Sequence, residues 1–292
     1  MSSSPVESLG NPAAAPLPFN ASPTNGKTGF QKLADTAGEL WVYRELLYFF
    51  AWRDLKIRYK QAVLGVLWAI IQPVFTMVVF TILFGKLANL PNDGLPSPVF
   101  YLSGLVPWLY FSGTVTNVSM SLVGNADMLT KIYFPRVLLP AASAFGNMVD
   151  FAIGTAILLV VAILYGVPLT LKMALWPFFA LPLFMLALGV GMVLAALNVK
   201  YRDIRYVVPF AIQLCLFATP IIYPASMVPE RYRAFLVLNP LSGLIEGFRD
   251  ALNPGVELNW GPLAASLSLI IALFVAAAVF FRRHERAFAD YV

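Results

Sequence analysis

Charged side chains are scarce in this sequence: Asp, Glu, Lys and Arg make up 12% of 292 residues, whereas hydrophobic residues make up 59%. A soluble domain carries about 25% charged residues, so much of the usual polar surface is missing. Lipid must therefore cover a large part of the chain, and the composition predicts an all-α membrane protein. The net charge of +5 does not indicate a nucleic-acid partner, because the basic residues flank apolar segments.

Cysteine and histidine are almost absent, with one residue of each type. Cys215 alone can form neither a disulfide within the chain nor a cysteine-cluster metal site. His284 lies among arginines near the chain end, so neither a buried histidine base nor a histidine-rich metal centre is available. Residues 21–28 (ASPTNGKT) match a phosphate-binding loop only loosely and follow no predicted strand. We therefore expect no catalytic residues, no metal and no bound cofactor.

Six apolar stretches are long enough to cross a bilayer, which takes about 20 residues as a helix. They are residues 62–84, 99–123, 137–165, 173–197, 206–228 and 262–281. Most Lys and Arg residues flank these stretches on the side that holds both chain ends, and that side is then the cytosol. We predict a six-span domain over residues 62–285 with a cytosolic C-terminus at 286–292.

The segment before the first span divides into two parts. Residues 1–30 are rich in Pro, Ser, Ala and Asn and lack the apolar core of a signal peptide, so we expect a disordered cytosolic tail. Residues 31–61 predict an amphipathic helix at the cytosolic membrane interface, with aromatic stripes beside basic residues. The residues assigned to this interface helix are Trp41, Tyr48, Trp52, Arg53 and Arg58. The alternative is a helix packed within a soluble N-terminal domain.

The segment between the last two spans, residues 224–258, is too apolar for an ordinary outer loop. The pairs Asn239-Pro240 and Asn253-Pro254 divide it into pieces too short to cross a membrane. Backbone at membrane depth requires cover from protein or a water-filled cavity. We therefore predict two short re-entrant helices that form an outer gate.

Asp150 is the one charged residue within a predicted span, and such a residue is costly in lipid unless it meets a partner or a wet cavity. Glu246 and Arg249 are three residues apart and share a helix face. Our hypothesis is that Asp150, Glu246 and Arg249 form a charged cluster at the outer gate. The alternative is that Asp150 makes a structural hydrogen bond to a neighbouring helix.

Aromatic residues are abundant, and aromatic faces suit the C–H faces of sugar rings as well as lipid. The candidates for a channel lining are Phe75, Phe100, Tyr101, Trp108, Tyr110 and Phe111.

Five groups of motifs in order along the chain resemble the permease subunit of ABC-type polysaccharide exporters, over nearly everything after residue 39. The most specific is residues 52–68, WRDLKIRYKQAVLGVLW, followed by Gln72-Pro73. The others are KIYFPR at 131–136, NVKYRD at 198–203, VPERYR at 228–233 with Tyr223-Pro224 before it and Asn239-Pro240 after it, and EGFR at 246–249. The chain ending, FRRHERAFADYV at 281–292, is similar to that of exporters of O-antigen.

This resemblance implies two copies of the chain and two copies of a separate ATP-binding cassette ATPase, which holds ATP and Mg. It implies a polysaccharide substrate linked to polyprenyl diphosphate, and the inner membrane of a bacterium. The loop at 124–140 would then couple the chain to the ATPase. The coupling residues are Lys131, Ile132, Tyr133, Phe134, Pro135 and Arg136.

Two other functions are compatible with a polytopic chain. An ion-gradient-driven secondary transporter of glycolipid would carry charged or unwound ion sites in matched halves, and Asp150 without a repeat argues against it. A membrane-embedded glycan-modifying enzyme would need a catalytic constellation that the sequence lacks.

Overall fold

The structure, a computed structural model, describes residues 38, 41–60, 65, 67–131, 134–285 and 288. These residues form α-helices joined by short turns, and no β-strand occurs among them. In chain order the helices are α1 (Arg44–Lys60), α2 (Leu67–Phe80), α3 (Ser97–Met120), α4 (Ala126–Lys131), α5 (Leu138–Leu164), α6 (Trp176–Lys200), α7 (Ile204–Ala218), α8 (Glu230–Leu238), α9 (Pro240–Leu252) and α10 (Trp260–His284). The all-α prediction is confirmed. The predicted tail at 1–30 and most of 286–292 lie outside the described residues.

Helix α3 lies at the centre of the bundle, in contact with α2, α5, α6, α7 and α9. It is largely apolar, and several of its hydroxyls bond to carbonyls of its own preceding turn, as Ser103 does to Phe100 at 2.8 Å. Such a helix can be buried all round. Gly191 of α6 allows this helix to approach α3 closely, because a Cβ there would lie 2.6 Å from Val118 of α3.

Among the residues that the structure describes, four helices are long and apolar enough to cross a membrane, by length and composition. They are Leu67–Leu87, which extends α2 through the π-helical turn Thr81–Leu87, Leu138–Leu164, Leu171–Lys200 and Trp260–His284. Each overlaps a predicted span closely. Helix α3 has 24 residues and is less apolar, whereas α7 is a shorter apolar helix of 15 residues.

Helix α7 is shorter than the sequence predicts. The predicted span runs to residue 228, but the helix ends at Ala218 and Thr219 is extended. Thr219 Oγ1 donates to the Cys215 carbonyl at 2.7 Å and accepts from Asn239 Nδ2 at 2.9 Å. The apolar sequence therefore continues beyond the end of α7, into non-helical backbone that is hydrogen-bonded by residues from other parts of the chain.

The two short helices predicted between the last two spans are present as α8 and α9. Asn239 ends α8 and caps α9, since its side chain accepts from the Leu241 amide at 3.1 Å. Pro240 is then the first residue of α9, where its missing N–H is harmless. The Asn-Pro pairs thus mark the helix ends as predicted.

Candidate functional site

Helix α1 is fastened to α5 by a charged group. Arg58 and Tyr59 of α1 both donate to the carboxylate of Asp150 on α5. Burial, and then the hydrogen bond to Asp150, raises the pKa of Tyr59, so the phenol keeps the proton that it donates. Arg58 and Asp150 are each about one-third exposed, so solvent screens their attraction.

A cavity of about 280 Å³ lies beside this group, between the end of α1, α2, α3 and α5. Its polar lining includes Arg58, Gln72 and Asp150, and the amides of Asn117 and Asn147, which bond to each other at 3.0 Å. We call it the inner cavity. Asp150 thus has both a hydrogen-bonded partner on a neighbouring helix and a place in a cavity wall.

The predicted cluster of Asp150 with Glu246 and Arg249 does not form, and that prediction is wrong. Asp150 lines the inner cavity, whereas Glu246 and Arg249 line a different one. The error has a long-range cause: α1 packs along α5 and supplies a cation to Asp150. No local pattern reveals that packing.

Arg249 holds the backbone that follows α7. It is 6% exposed, and its two terminal nitrogens donate to the Pro220 and Ile221 carbonyls at 2.5 and 2.7 Å. Its guanidinium carbon lies 3.8 Å from the ring centroid of Phe100, a close cation–π contact. Gly104 makes room for it, because a Cβ at Gly104 would lie 2.7 Å from its Nη2.

Glu246 lies on the same helix and lines a cavity of about 850 Å³, which we call the outer cavity. Burial, helped by the nearby Asp250 carboxylate, raises the pKa of Glu246 to about 7. No hydrogen bond reaches the Glu246 carboxylate from the part of the chain that the structure describes.

Most of the aromatic residues predicted to line a channel fill the interior instead. Phe100, Tyr101, Trp108 and Tyr110 are at most 5% exposed. They lie on α3 and are buried within the single chain, where Phe100 lines the outer cavity and Tyr110 the inner cavity. Phe111 is half-buried, and Phe75 on α2 is 65% exposed.

A different aromatic face points outward on α7. This helix meets the bundle through one stripe, Ile204, Val208, Ile212 and Leu216, and its other sides are exposed. The outward side carries Tyr206, Phe210, Gln213 and Phe217, whose spacings of 7, 3 and 4 from Gln213 place them on one helix face. That spacing around a lone polar residue is visible in the sequence, but our sequence interpretation missed it.

Of the residues predicted for the interface helix, Trp41, Tyr48 and Trp52 are exposed, and the rings of Tyr48 and Trp52 stack at 6.4 Å. Arg53 instead turns inward, with nitrogens 3.0 Å from Asn125 Oδ1 and 3.1 Å from Met128 Sδ, just before and within α4. Together with the pairing of Arg58, these contacts fasten α1 to the bundle at two places.

The predicted coupling segment packs against α1 and the chain end. Phe134 is 6% exposed, with its ring edge-on to Phe50 of α1 at 5.5 Å. Pro135 is also buried, and Arg136 bonds to Glu285 through its amide and its guanidinium, whereas Lys131 is exposed. Ile132 and Tyr133 lie outside the described residues. Phe134, one of the predicted coupling residues, thus packs within its own chain.

Residues 45–253 match the family described as ABC-2 type transporter. This chain belongs to the ABC-2 type transporter family. It is 32% identical over 256 residues to the O-antigen export system permease protein RfbA of Myxococcus xanthus, which covers 86% of this chain and 97% of that protein. A protein of the same name from Klebsiella pneumoniae is 29% identical over 250 residues, 84% of this chain and 94% of that protein. The polysialic acid transport protein KpsM of Escherichia coli is 25% identical over 247 residues, 80% and 91% of the two chains.

The ABC-2 match runs from the start of α1 to the residue after α9. It therefore includes Arg58, Asp150 and the rest of the inner cavity. It also includes Arg249 and the α9 wall of the outer cavity, whereas α10 lies beyond it.

Proposed function

We propose that this ABC-2 chain is the membrane-spanning permease subunit of an ATP-driven exporter of polysaccharide. The observation that carries the proposal is the match to the O-antigen export permease of Myxococcus xanthus, which extends over 97% of that protein's length. Hydrolysis then occurs in a separate ATP-binding cassette partner, which holds ATP and Mg. Asp150 is the charged residue within a predicted span, and it is paired with Arg58. A carboxylate that already has a cation as its partner does not support the ion site that an ion-driven glycolipid transporter would need.

The chain in this proposal has six spans in the bacterial inner membrane, with both termini in the cytosol. Helix α3 is the second span, because it is 24 residues long and lies amid the four clear candidates. Helix α7 is the fifth, and its 15 residues extend about 22 Å, less than a hydrocarbon core of about 30 Å. The non-helical residues after it complete the passage under the cover of Arg249 and the re-entrant pair α8 and α9.

A second copy of the chain faces α2 and α7 in this proposal. Along the apolar window of α2 only 11% of residues are buried, and α7 carries the outward face that contains Gln213. An amide side chain that faces lipid is unfavourable, so a water-containing passage between two copies is a better environment for Gln213. Tyr206, Phe210 and Phe217, with Phe75 of α2, then offer ring faces to sugar units.

The ATPase partner binds on the cytosolic side, at the segment 124–140. Lys131 is exposed there, and Phe134 ties this segment to α1. Movement of the segment is thereby transmitted to α1, and through Arg58 and Tyr59 to the wall of the inner cavity. The exposed Trp41, Tyr48 and Trp52 place α1 at the lipid interface.

The substrate in this proposal is an O-antigen-like polysaccharide linked to polyprenyl diphosphate. Relatives are named for O-antigen and for polysialic acid, and the identity is higher for the former, at 32% against 25%.

The experiment is to purify the chain alone, and with the ATP-binding cassette subunit from the same genome, and to measure ATP turnover. We expect turnover from the pair and none from the chain alone. ATP turnover by the chain alone would contradict the proposal that hydrolysis occurs in the partner subunit. Failure of the two proteins to copurify would contradict the proposed complex.

A further inference from the structure

The outer cavity has a preorganised wall. Asp93 is fixed from two sides, since Ser226 donates to its carboxylate at 2.8 Å and Asn253 donates to its carbonyl at 2.9 Å. Lys172 donates to the Val256 carbonyl at 2.6 Å and so holds the loop after α9. A volume of about 850 Å³ lies within the range of small-molecule sites, about 300–1,000 Å³. The cavity is therefore large enough to hold a ligand, and hydrogen bonds fix the position of its wall.

The polar lining is predominantly acidic. Asp93, Asp250 and Glu257 contribute carboxylates, and Glu246, with its pKa raised to about 7, contributes a partly ionised carboxyl group, against the guanidiniums of Arg233 and Arg249. The two terminal nitrogens of Arg249 already donate to the Pro220 and Ile221 carbonyls. An anionic ligand would meet net repulsion in such a cavity, whereas hydroxyl and ammonium groups would find acceptors.

Among the described residues of the wall, three groups have unused hydrogen-bonding capacity: the Arg249 Nε donor, the Ser242 hydroxyl and the Glu246 carboxylate. Ser242 is 3% exposed, and within the described part of the chain its Oγ has no hydrogen-bond partner. The half-buried Glu246 carboxylate likewise accepts no hydrogen bond from the residues that the structure describes. Buried polar atoms are nearly always bonded, so the unmatched Ser242 hydroxyl, four residues from Glu246 in the same cavity wall, points to a hydrogen-bonding ligand.

We infer that the outer cavity binds an uncharged or amino-bearing saccharide, whose hydroxyl or ammonium hydrogens are accepted by Glu246, Asp250 and Ser242. The apolar residues of the wall, among them Leu95 and Val237, suit the C–H faces of sugar rings. This inference rests on the proposed export of polysaccharide, and adds to it a site that discriminates against acidic sugars. A sialic acid polymer carries a carboxylate on every unit and would be excluded.

The test is to measure binding to the complex of the chain and its ATPase in lipid nanodiscs by calorimetry. Three probes are compared: a mannose oligomer, a glucosamine oligomer and a sialic acid oligomer of equal length. We expect the first two to bind and the third to bind at least about tenfold more weakly. The variant Glu246→Gln/Asp250→Asn should weaken the glucosamine oligomer by about tenfold or more, because bonds to charged acceptors contribute about 1.5–3 kcal/mol. It should weaken the mannose oligomer less and lessen the exclusion of the sialic acid oligomer.

Two further variants separate a binding role from a structural one. Ser242→Ala, which keeps the apolar wall, should weaken the mannose oligomer a few-fold without lowering the melting temperature. Glu45→Gln on α1, an exposed acid outside the cavity wall, should change no affinity. Equal affinities for all three oligomers, or unchanged affinities in the double variant, would overturn the inference. If the complex exports polymer but binds none of the probes, the inference fails while the proposed function stands; if ATP turnover and export are both absent, the proposed function itself fails.

Discussion

Arg249 stabilises a part of the chain in which helical hydrogen bonding has stopped. The carbonyls of Pro220 and Ile221 follow the end of α7 and would otherwise be buried without donors. An arginine suits this task, because its planar fork reaches two acceptors at once and keeps its charge when buried. The cation–π contact with Phe100 covers one face of the fork. The geometry depends on Gly104, which has no side chain to occupy the same space.

We predict that Gly104→Ala lowers the melting temperature of the purified chain by about 5 °C, because the new methyl group displaces the fork and breaks at least one bond to a charged donor. Gly113→Ala is the matched control on the same helix, since a Cβ there meets nothing within 4 Å, and it should be neutral or slightly stabilising. Differential scanning fluorimetry in detergent measures both.

Arg249→Lys should show a similar loss, because an ammonium cannot reproduce the fork. The double variant Gly104→Ala/Arg249→Lys should be little worse than either single variant, because both remove the same contacts. Independent, additive losses would contradict the assignment of Gly104 as the residue that makes room for Arg249.

At the scale of elements, α1 connects the predicted coupling segment to the inner cavity. One end of the connection is the contact of Phe50 with Phe134, and the other is the bonding of Arg58 and Tyr59 to Asp150. Because these contacts lie on one continuous helix, a displacement at the first is expected to move the second.

We predict that Phe134→Ala leaves the chain able to insert and to bind its ATPase but separates ATP turnover from export. The truncation removes the aromatic contact with Phe50, and loss of a buried aromatic contact of this kind weakens packing by about 0.5–1.5 kcal/mol beyond the lost apolar area. Export per ATP hydrolysed, measured in cells and in the purified complex, should fall. Ile57→Ala, which truncates an exposed apolar residue of α1, is the control and should keep the normal ratio. An unchanged ratio in Phe134→Ala would remove α1 from the coupling route.

We predict that the face of α7 around Gln213 is in water. In a Cys215→Ser background, Gln213→Cys should react quickly with a water-soluble maleimide. Native Cys215, measured in the unchanged chain, lies two positions further along α7 and on another side of the helix. It is exposed in the single chain, but it should react slowly because lipid covers that side. Because positions 213 and 215 lie at nearly the same depth in the membrane, a difference between their reaction rates reports which side of α7 is in water. Equal rates at both positions would contradict a water-containing passage along this face.

The elements could be predicted from the sequence where their signals are local. Apolar runs gave the four clear spans and α3 to within a few residues, and Asn239-Pro240 marked the junction of α8 and α9. The end of α7 could not be predicted, because the residues after Ala218 remain apolar and the groups that hold them come from Arg249 and Asn239, far along the chain.

The candidate site was less predictable, since it depends on which face of each helix turns inward. Helix α3 is largely apolar, so its pattern could not tell that Tyr101 and Trp108 are buried. Asp150 was identified correctly as a residue in need of a partner, but the partner comes from α1 through long-range packing. Glu246 and Arg249 both line the outer cavity, but their environments differ. Arg249 donates to the Pro220 and Ile221 carbonyls, whereas the Glu246 carboxylate faces the cavity.

For the molecule as a whole, the two cavities differ in size and charge. The inner cavity is smaller and contains a paired Arg58 and Asp150, whereas the outer cavity is three times as large, at about 850 against 280 Å³, and is acidic. In the proposed orientation they lie towards opposite sides of the membrane. An exporter must bind its substrate with unequal affinity in its two states, because a ligand with equal affinity for both states shifts no equilibrium.

The most direct test of the whole account is transport in proteoliposomes that contain the chain and its ATPase. The measurement is transfer of a polyprenyl-diphosphate-linked saccharide into the lumen, detected by a lectin enclosed there. We predict transfer with ATP and Mg, no transfer with a non-hydrolysable ATP analogue, and no effect when an ionophore collapses ion gradients. Transfer that proceeds without ATP hydrolysis and stops with the ionophore would contradict the account and would instead identify a gradient-driven glycolipid transporter.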